Sequence, residues 1–260
     1  MKAPCQVICQ PFSCERDGLT IRGFQYMPSV LNAPAPAVVM SHGFMADHGM
    51  CDGYAGLLAG LGFVTFTFDF CGGGPNSISD GRTRDMSVLT EKEDLLAVMR
   101  FARALPEVDP ARLSLLGCSQ GGYVSAMTAK EHPEEVEKLI LFYPALCIPD
   151  DARSGQMLAF RFDPRNIPDL LGTQPMELGG CYARAVVNED AFSQIAGFTG
   201  KTLILHGDQD AIVKLSYAER AVACYADTRL HVIIGAGHVF FGDHDAEAKR
   251  ILSAFMLGEE

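Results

Sequence analysis

The chain has 260 residues, of which 48% are hydrophobic and 20% charged, so it carries enough apolar residues to fill the core of one large domain. With 21 basic and 32 acidic residues its formal net charge is −11, which argues against a nucleic-acid or anionic-membrane partner, since either would require a basic patch. No apolar run approaches the ~20 residues of a membrane span, and the N-terminal stretch MKAPCQVICQPFSCERDG lacks the apolar core of a signal peptide. We therefore expect a cytoplasmic protein with no nucleic-acid partner and no membrane partner.

The nine cysteines are an odd number and are scattered through a chain long enough to fold without disulfide bonds. Cys5, Cys9 and Cys14 lack the paired C-x-x-C spacing of a zinc site, and the alternating residues around them are typical of a strand. The run GGGP at residues 72–75 is not followed by the Gly-Lys-Ser/Thr of a phosphate-binding loop. We expect reduced thiols, no metal ion and no cofactor.

Hydrophobic periodicity predicts strands that alternate with helices along most of the chain. The predicted elements are a β-hairpin of residues 7–12 and 19–26, strand 37–41, helix 54–61, strand 63–68, helix 91–105, strand 113–116, helix 120–131, strand 139–142, strand 202–205, helix 214–225, strand 230–234 and helix 243–257. This order predicts an α/β fold in which a doubly wound, mostly parallel sheet of eight strands lies between helices.

Residues 146–197 interrupt the alternation. They contain four prolines and several glycines and show no clear period. A structureless loop of some 50 residues is improbable in a compact domain, so we interpret this segment as an inserted cap over the carboxyl edge of the sheet, where open α/β sheets bind ligands. The predicted organisation is a core of residues 1–145 and 198–260 with a cap of residues 146–197.

The sequence LSLLGCSQGG at residues 113–122 places Ser119 between a short apolar strand and a helix, with Gly117 and Gly121 on either side. This spacing fits the G-x-S-x-G turn, in which the chain bends sharply and exposes a strained serine hydroxyl. The motif is short enough to arise by chance. A nucleophilic serine therefore needs a base, an acid and an oxyanion site elsewhere in the chain.

Two later strands end in residues that supply these groups. Strand 202–205 runs into HGDQD at residues 206–210, and strand 230–234 runs into GAGH at residues 235–238. Serine is a weak nucleophile at neutral pH, so we assign His238 as the base that takes its proton and Asp210 as the acid that orients the imidazole. Asp208 is the alternative acid, and we expect it to brace the turn instead.

The loop SHGF at residues 41–44 follows the predicted strand 37–41 and lies at the same edge of the sheet. We assign the oxyanion hole to the backbone N–H groups of Phe44 and Gln120, the latter being the residue after the serine. His206 closes its strand and is expected to make a structural hydrogen bond.

The whole chain resembles an α/β hydrolase, and within that superfamily it is most similar to the cinnamoyl (feruloyl) esterases. The motifs that carry the resemblance are SHGF at 41–44, DFCGGG at 69–74, MSVLTEKEDLLAVMRFA at 86–102, LGCSQGGYVSA at 116–126, RFDPRNIPD at 161–169, LGGCYARAV at 178–186, HGDQDAIV at 206–213 and GAGHVF at 235–240. The resemblance implies an α/β-hydrolase fold with Ser119, Asp210 and His238 as the catalytic residues.

The resemblance also implies that a cap aspartate and a cap tyrosine, here Asp151 and Tyr182, meet the phenolic hydroxyl of the substrate. This chain departs from the family pattern at Leu158, where a polar glutamine is expected, and at Cys118, where a histidine is expected. The predicted function is hydrolysis of small-molecule carboxylic esters, with hydroxycinnamate-type esters as the first choice. The alternatives are a short-chain carboxylesterase, an acylglycerol lipase or a non-catalytic ligand-binding relative. The sequence leaves the oligomeric state open, a homodimer included.

Overall fold

The computed structural model describes residues 6–259, and Cys5 lies outside this range. In chain order the first half contains β1 (Val7–Arg16), β2 (Leu19–Pro28), β3 (Ala35–Ser41), α1 (Gly49–Gly60), β4 (Val64–Phe68), α2 (Val88–Arg103), β5 (Val108–Cys118), α3 (Gln120–Glu131) and β6 (Lys138–Phe142). The second half contains α4 (Ile148–Ser154), β7 (Gln156–Met157), β8 (Phe160–Arg161), β9 (Leu170–Gly172), β10 (Leu178–Gly179), α5 (Gly180–Arg184), α6 (Ala191–Ile195), β11 (Lys201–Gly207), α7 (Leu215–Ala221), β12 (Asp227–Ile233) and α8 (Gly242–Leu257).

The central sheet has eight strands in the order β1-β2-β4-β3-β5-β6-β11-β12. The hairpin of β1 and β2 is antiparallel and joins β4 antiparallel, whereas every pair from β4 to β12 is parallel. The strand order reverses around β3, which is the signature of a doubly wound sheet. The predicted eight-stranded, mostly parallel sheet and the α/β-hydrolase fold class are confirmed.

Helices pack on both faces of this sheet, so its parallel strands carry apolar side chains on both faces. One buried cluster joins α2 and α3 to the sheet, with Leu95 and Val124 among its members. The other joins α1 and α8 to the opposite face, with Leu58 and Leu252 among its members. Within residues 6–259, no helix combines the length and the apolar character needed to cross a membrane.

Several predicted boundaries are wrong by a few residues, for identifiable reasons. Helix α1 begins at Gly49 rather than at residue 54, because its interior glycines weaken the helical pattern in the sequence. Helix α2 begins at Val88 rather than at residue 91, because Ser87 and Thr90 form a capping box.

Two strands, β5 and β12, begin three or more residues earlier than predicted. Strand β5 begins at Val108, where it pairs with Ala35, and the register then shifts over residues 109–112, of which 110–112 are exposed. Strand β12 begins at Asp227, because an edge strand tolerates polar residues that do not fit an apolar pattern. Helix α7 ends at Ala221 and passes into a 3₁₀ turn (Val222–Cys224), so the predicted helix 214–225 is too long.

The segment of residues 146–197 lies between β6 and β11 and holds α4, β7, β8, β9, β10, α5 and α6. Its strands form two separate two-stranded sheets and do not join the central sheet. Its elements are two to seven residues long, which is why no period is visible in the sequence. The eight cysteines among residues 6–259 are free thiols.

Candidate active site

Ser119 occupies the sharp turn between β5 and α3. Its φ of 53° and ψ of −117° lie outside the regions that a residue with a side chain ordinarily adopts, so the turn stores strain. Side chains on the flanking glycines would not fit: a Cβ on Gly117 would overlap the backbone of Gly121, and a Cβ on Gly121 would overlap the carbonyl oxygens of Ser41 and His42. The strained turn predicted from G-x-S-x-G is present.

Ser119, His238 and Asp210 form one continuous series of hydrogen bonds. Ser119 Oγ lies 2.8 Å from His238 Nε2, and His238 Nδ1 lies 2.8 Å from Asp210 Oδ2. A carboxylate only accepts hydrogen bonds, so the imidazole proton lies on Nδ1 and Nε2 is left to accept the serine proton. The geometry is therefore suited to proton transfer from serine to imidazole.

Asp210 is held in its ionised form. Its side chain is fully buried, which acts to raise its pKa, but hydrogen bonds from His206, His238 and the Val213 N–H outweigh burial and hold the pKa of Asp210 well below its ordinary range. His206 Nε2 lies 2.8 Å from the Val213 carbonyl oxygen and 3.2 Å from Asp210 Oδ2. The predicted structural hydrogen bond of His206 is thus made, and the same nitrogen also faces Asp210.

Asp208, the alternative acid, lies in a different environment. Its Oδ1 accepts a hydrogen bond from the Gly235 N–H at 2.6 Å and thereby braces the turn that carries His238. Of the two carboxylates, Asp210 is the one that faces the imidazole.

The loop after β3 lies directly against Ser119. A Cβ placed on Gly43 would stand 3.1 Å from the Ser119 Cβ. His42 is buried, which lowers its pKa, and its Nδ1 donates to the Gly43 carbonyl at 2.8 Å while its Nε2 accepts from the Phe70 N–H at 3.1 Å. In a trans peptide the C=O and N–H point in opposite directions, so this contact also fixes the direction of the Phe44 N–H.

The two N–H groups assigned to the oxyanion hole are available to a ligand. Within residues 6–259 the N–H groups of Phe44 and Gln120 donate to no protein acceptor. Both residues line the cavity that contains Ser119.

The cavity in front of Ser119 encloses about 470 Å³ of space, its open mouth included. Its lining comes from both the core and the 146–197 segment: Phe44, Ser119, Gln120, Ala145, Cys147, Ile148, Asp151, Met157, Leu158, Leu178, Tyr182, Ile212 and Val213. The walls are therefore mainly apolar, and Asp151 and Tyr182 both lie in the same cavity as Ser119. Burial raises the pKa of Asp151.

The hydrogen-bond partners of Tyr182 were not predicted from the sequence. Its hydroxyl donates to Gln120 Oε1, and Gln120 Nε2 donates to Glu91 Oε2 at 2.7 Å. Glu91 is fully buried, and burial holds its pKa well above its ordinary value against the lowering effect of the Gln120 hydrogen bond. The sequence did contain a sign that Glu91 is buried. Glu91 lies four residues before Leu95 and therefore shares the inward face of α2.

Among residues 6–259 one group of three side chains lies close enough together to share a metal ion. His132, Glu134 and Glu135 place their ligand atoms within 4.8 Å of one another. They follow the end of α3 opposite to Ser119, and Glu135 already accepts a hydrogen bond from Arg103. This group lies apart from the cavity.

Comparisons with known proteins identify relatives of this chain by sequence and by fold. A family model described as Serine aminopeptidase, S33 matches residues 32–187. A structure of Est1E from Butyrivibrio proteoclasticus with bound ferulic acid has a TM-score of 0.88 and 28% identity, over 95% of this chain and 98% of that one. An uncharacterised protein of Mycobacterium tuberculosis is 27% identical over 224 residues, which are 86% of this chain and 69% of the relative.

A shorter match is to the 1-acylglycerol-3-phosphate O-acyltransferase of Arabidopsis thaliana, which is 34% identical over 128 residues, 49% of this chain and 29% of that protein. The family model covers more than half of the chain, including the loop after β3 and the turn at Ser119. The chain therefore belongs to the Serine aminopeptidase, S33 family, and it is an α/β hydrolase that resembles the feruloyl esterases.

Proposed function

We propose that this chain hydrolyses small-molecule carboxylic esters through an acyl-serine intermediate and that its preferred substrates are aromatic, hydroxycinnamate-type esters. The observation that carries the proposal is the series of 2.8 Å contacts from Ser119 to His238 to Asp210, which opens into a mainly apolar cavity.

The chemistry follows from these positions. His238 Nε2 takes the proton of Ser119 Oγ as the oxygen attacks the ester carbonyl, and Asp210 stabilises the imidazolium that forms. The N–H groups of Phe44 and Gln120 stabilise the negative charge on the carbonyl oxygen. The imidazolium then protonates the departing alcohol, and a water molecule that His238 deprotonates releases the acid from Ser119.

The lining of the cavity favours an aromatic acyl group. Phe44, Met157 and Leu178 supply apolar walls, while Asp151 supplies a carboxyl that a ligand hydroxyl can meet. The ferulic acid in the Est1E structure is consistent with this class of ligand. The 146–197 segment contributes Asp151 and Tyr182 and so acts as the cap in this proposal.

Ser119→Ala tests the nucleophile. We expect kcat on p-nitrophenyl acetate and on methyl ferulate to fall at least about 10⁴-fold, with an unchanged melting temperature, because only the attacking oxygen is lost. A fluorophosphonate probe should label the unmodified protein at Ser119 and leave this variant unlabelled.

Ser125→Ala is the matched control, since Ser125 lies on the same helix and its buried Oγ has no partner in residues 6–259. Labelling that persists in the Ser119→Ala variant contradicts the assignment. Faster hydrolysis of methyl butyrate than of methyl ferulate, two esters with the same leaving group, favours the general carboxylesterase instead. An absence of both labelling and hydrolysis in the unmodified protein favours a ligand-binding relative.

A further inference from the structure

Glu91 is a buried acid that the proposed mechanism does not use. Its exposed fraction is 0%, and no ion pair of residues 6–259 includes it. Its Oε2 accepts one hydrogen bond, from Gln120, and its Oε1 has no partner. Burying a carboxyl in this way is costly, so a protein gains nothing in stability by keeping it.

The contacts of Glu91 lead directly to the cavity. Gln120 Nε2 donates to Glu91, which turns the amide oxygen of Gln120 toward Tyr182, and the Tyr182 hydroxyl donates to that oxygen. Gln120 and Tyr182 both line the cavity, whereas Glu91 lies behind them. The chain of hydrogen bonds therefore runs from the 146–197 segment through α3 to α2 and ends at Glu91.

The direction of these hydrogen bonds decides whether the Tyr182 hydroxyl can donate to a ligand or only accept from it. A phenol has one proton, and Tyr182 gives that proton to Gln120. Toward the cavity its oxygen is then left with acceptor capacity only. Asp151, when ionised, is also an acceptor, so a ligand group that can only accept finds no donor on either residue.

We propose that Glu91 is a positioning residue for substrate selectivity: by holding the Gln120 amide it keeps Tyr182 as a hydrogen-bond acceptor and thereby selects acyl groups that carry a donor. This inference rests on the proposed esterase function and adds the residue that sets its selectivity. A hydroxyl or an amino group on the aromatic ring can donate a hydrogen bond to the acceptors Tyr182 and Asp151. A methoxy group at the same position cannot.

The test uses the methyl esters of 4-hydroxy-, 4-amino- and 4-methoxycinnamic acid. For the unmodified protein we expect kcat/KM to be at least about tenfold higher for the hydroxy and amino esters than for the methoxy ester, because the methoxy group leaves buried acceptors unsatisfied. Glu91→Leu removes the acceptor behind Gln120 and frees the amide to turn. The ratio of kcat/KM for the hydroxy ester to kcat/KM for the methoxy ester should then fall toward one, through changes in KM. Hydrolysis of p-nitrophenyl acetate should be retained.

Glu91→Gln is the rescue variant, since its side-chain oxygen can still accept from Gln120, and it should keep the ratio of the unmodified protein. Glu93→Leu, at an exposed position of the same helix, is the matched control. If Glu91→Leu does not fold, Glu91→Met removes the same acceptor with a more adaptable side chain.

A ratio that survives in the acceptor-free variants overturns the inference, and so does an equal loss on p-nitrophenyl acetate, which indicates a purely structural role. Equal rates on hydroxy and methoxy esters in the unmodified protein also overturn it. If the unmodified protein hydrolyses p-nitrophenyl acetate but no cinnamate ester, the proposed substrate class fails separately. Calorimetry then tests Glu91 through binding: the ratio of the Kd values of 4-methoxycinnamate and 4-hydroxycinnamate is measured on the Ser119→Ala protein with and without Glu91→Leu.

Discussion

Asp208 and Asp210 stand two residues apart at the end of one strand, yet they meet different partners. Asp210 accepts hydrogen bonds from His238, His206 and two backbone N–H groups, so its oxygens are fixed toward the imidazole. Asp208 is half-buried and accepts from the Gly235 N–H. At the scale of single residues, this difference is what separates an acid that orients a base from one that holds a turn.

Replacing each carboxylate by its amide measures that difference. Asp210→Asn should lower kcat on p-nitrophenyl acetate by about 10³- to 10⁴-fold, because an amide favours the wrong tautomer of His238 and cannot stabilise the imidazolium. Asp208→Asn keeps an oxygen for the Gly235 N–H, so its loss should stay below about tenfold. The opposite ranking would show that Asp208 is the acid. Thermal unfolding of both variants controls for damage to the turn.

At the scale of elements, the site depends on how closely helix α3 approaches strand β3. The start of α3 lies so near the end of β3 that Gly121 has no space for a side chain beside the carbonyl oxygens of Ser41 and His42. This approach brings the loop after β3 against Ser119. The distance between Ser119 and the N–H of Phe44, one of the two proposed oxyanion donors, is therefore set by a helix–strand contact.

Gly121→Ala tests this contact. We expect a loss of about 3 kcal/mol or more in the free energy of unfolding, together with a large loss of esterase activity, because backbone atoms must move apart to admit the methyl group. Gly56→Ala on α1 is the control: a Cβ placed there meets no atom within 4 Å beyond the adjoining residues and the backbone of α1 itself, so the protein should gain about 0.5–1 kcal/mol in stability. A Gly121→Ala protein with unchanged stability in urea would contradict the close approach.

At the scale of the whole molecule, the buried acid Glu91 makes stability depend on pH. Burial holds the pKa of Glu91 well above the value of about 4.3 for an exposed glutamate. Above about pH 4.3 the folded protein therefore binds this proton while the unfolded chain does not. The contribution of Glu91 to the free energy of unfolding falls as the pH rises, until the buried carboxyl also loses its proton.

Glu91→Gln removes this titration. The stability of the variant minus that of the unmodified protein should increase as the pH rises above about 4.3, with a slope that approaches about 1.4 kcal/mol per pH unit, the limit for one proton, until the buried carboxyl ionises. Urea unfolding at a series of pH values measures it. Glu93→Gln, at an exposed position, should show no such trend. A constant difference for Glu91→Gln would mean that Glu91 is ionised in the folded protein.

The order of strands and helices, the doubly wound sheet and the strained turn at Ser119 could be predicted from the sequence. Each of these features depends on a local pattern or on a general rule of chain topology. The same rules predicted that Asp210 and His238 lie at the edge of the sheet that carries Ser119. Element boundaries were less predictable at α1 and β12, where interior glycines or an exposed edge disguise the pattern.

Tertiary structure alone decided the contacts behind the wall of the cavity. The hydrogen bond between Glu91 and Gln120 spans 29 residues, and the one between Tyr182 and Gln120 spans 62. The short elements of residues 146–197 form where they pack on the core, and they bring Asp151 and Tyr182 to the cavity of Ser119. No pattern along the chain encodes such contacts, because they depend on the distances and directions of side chains that only the packed elements determine.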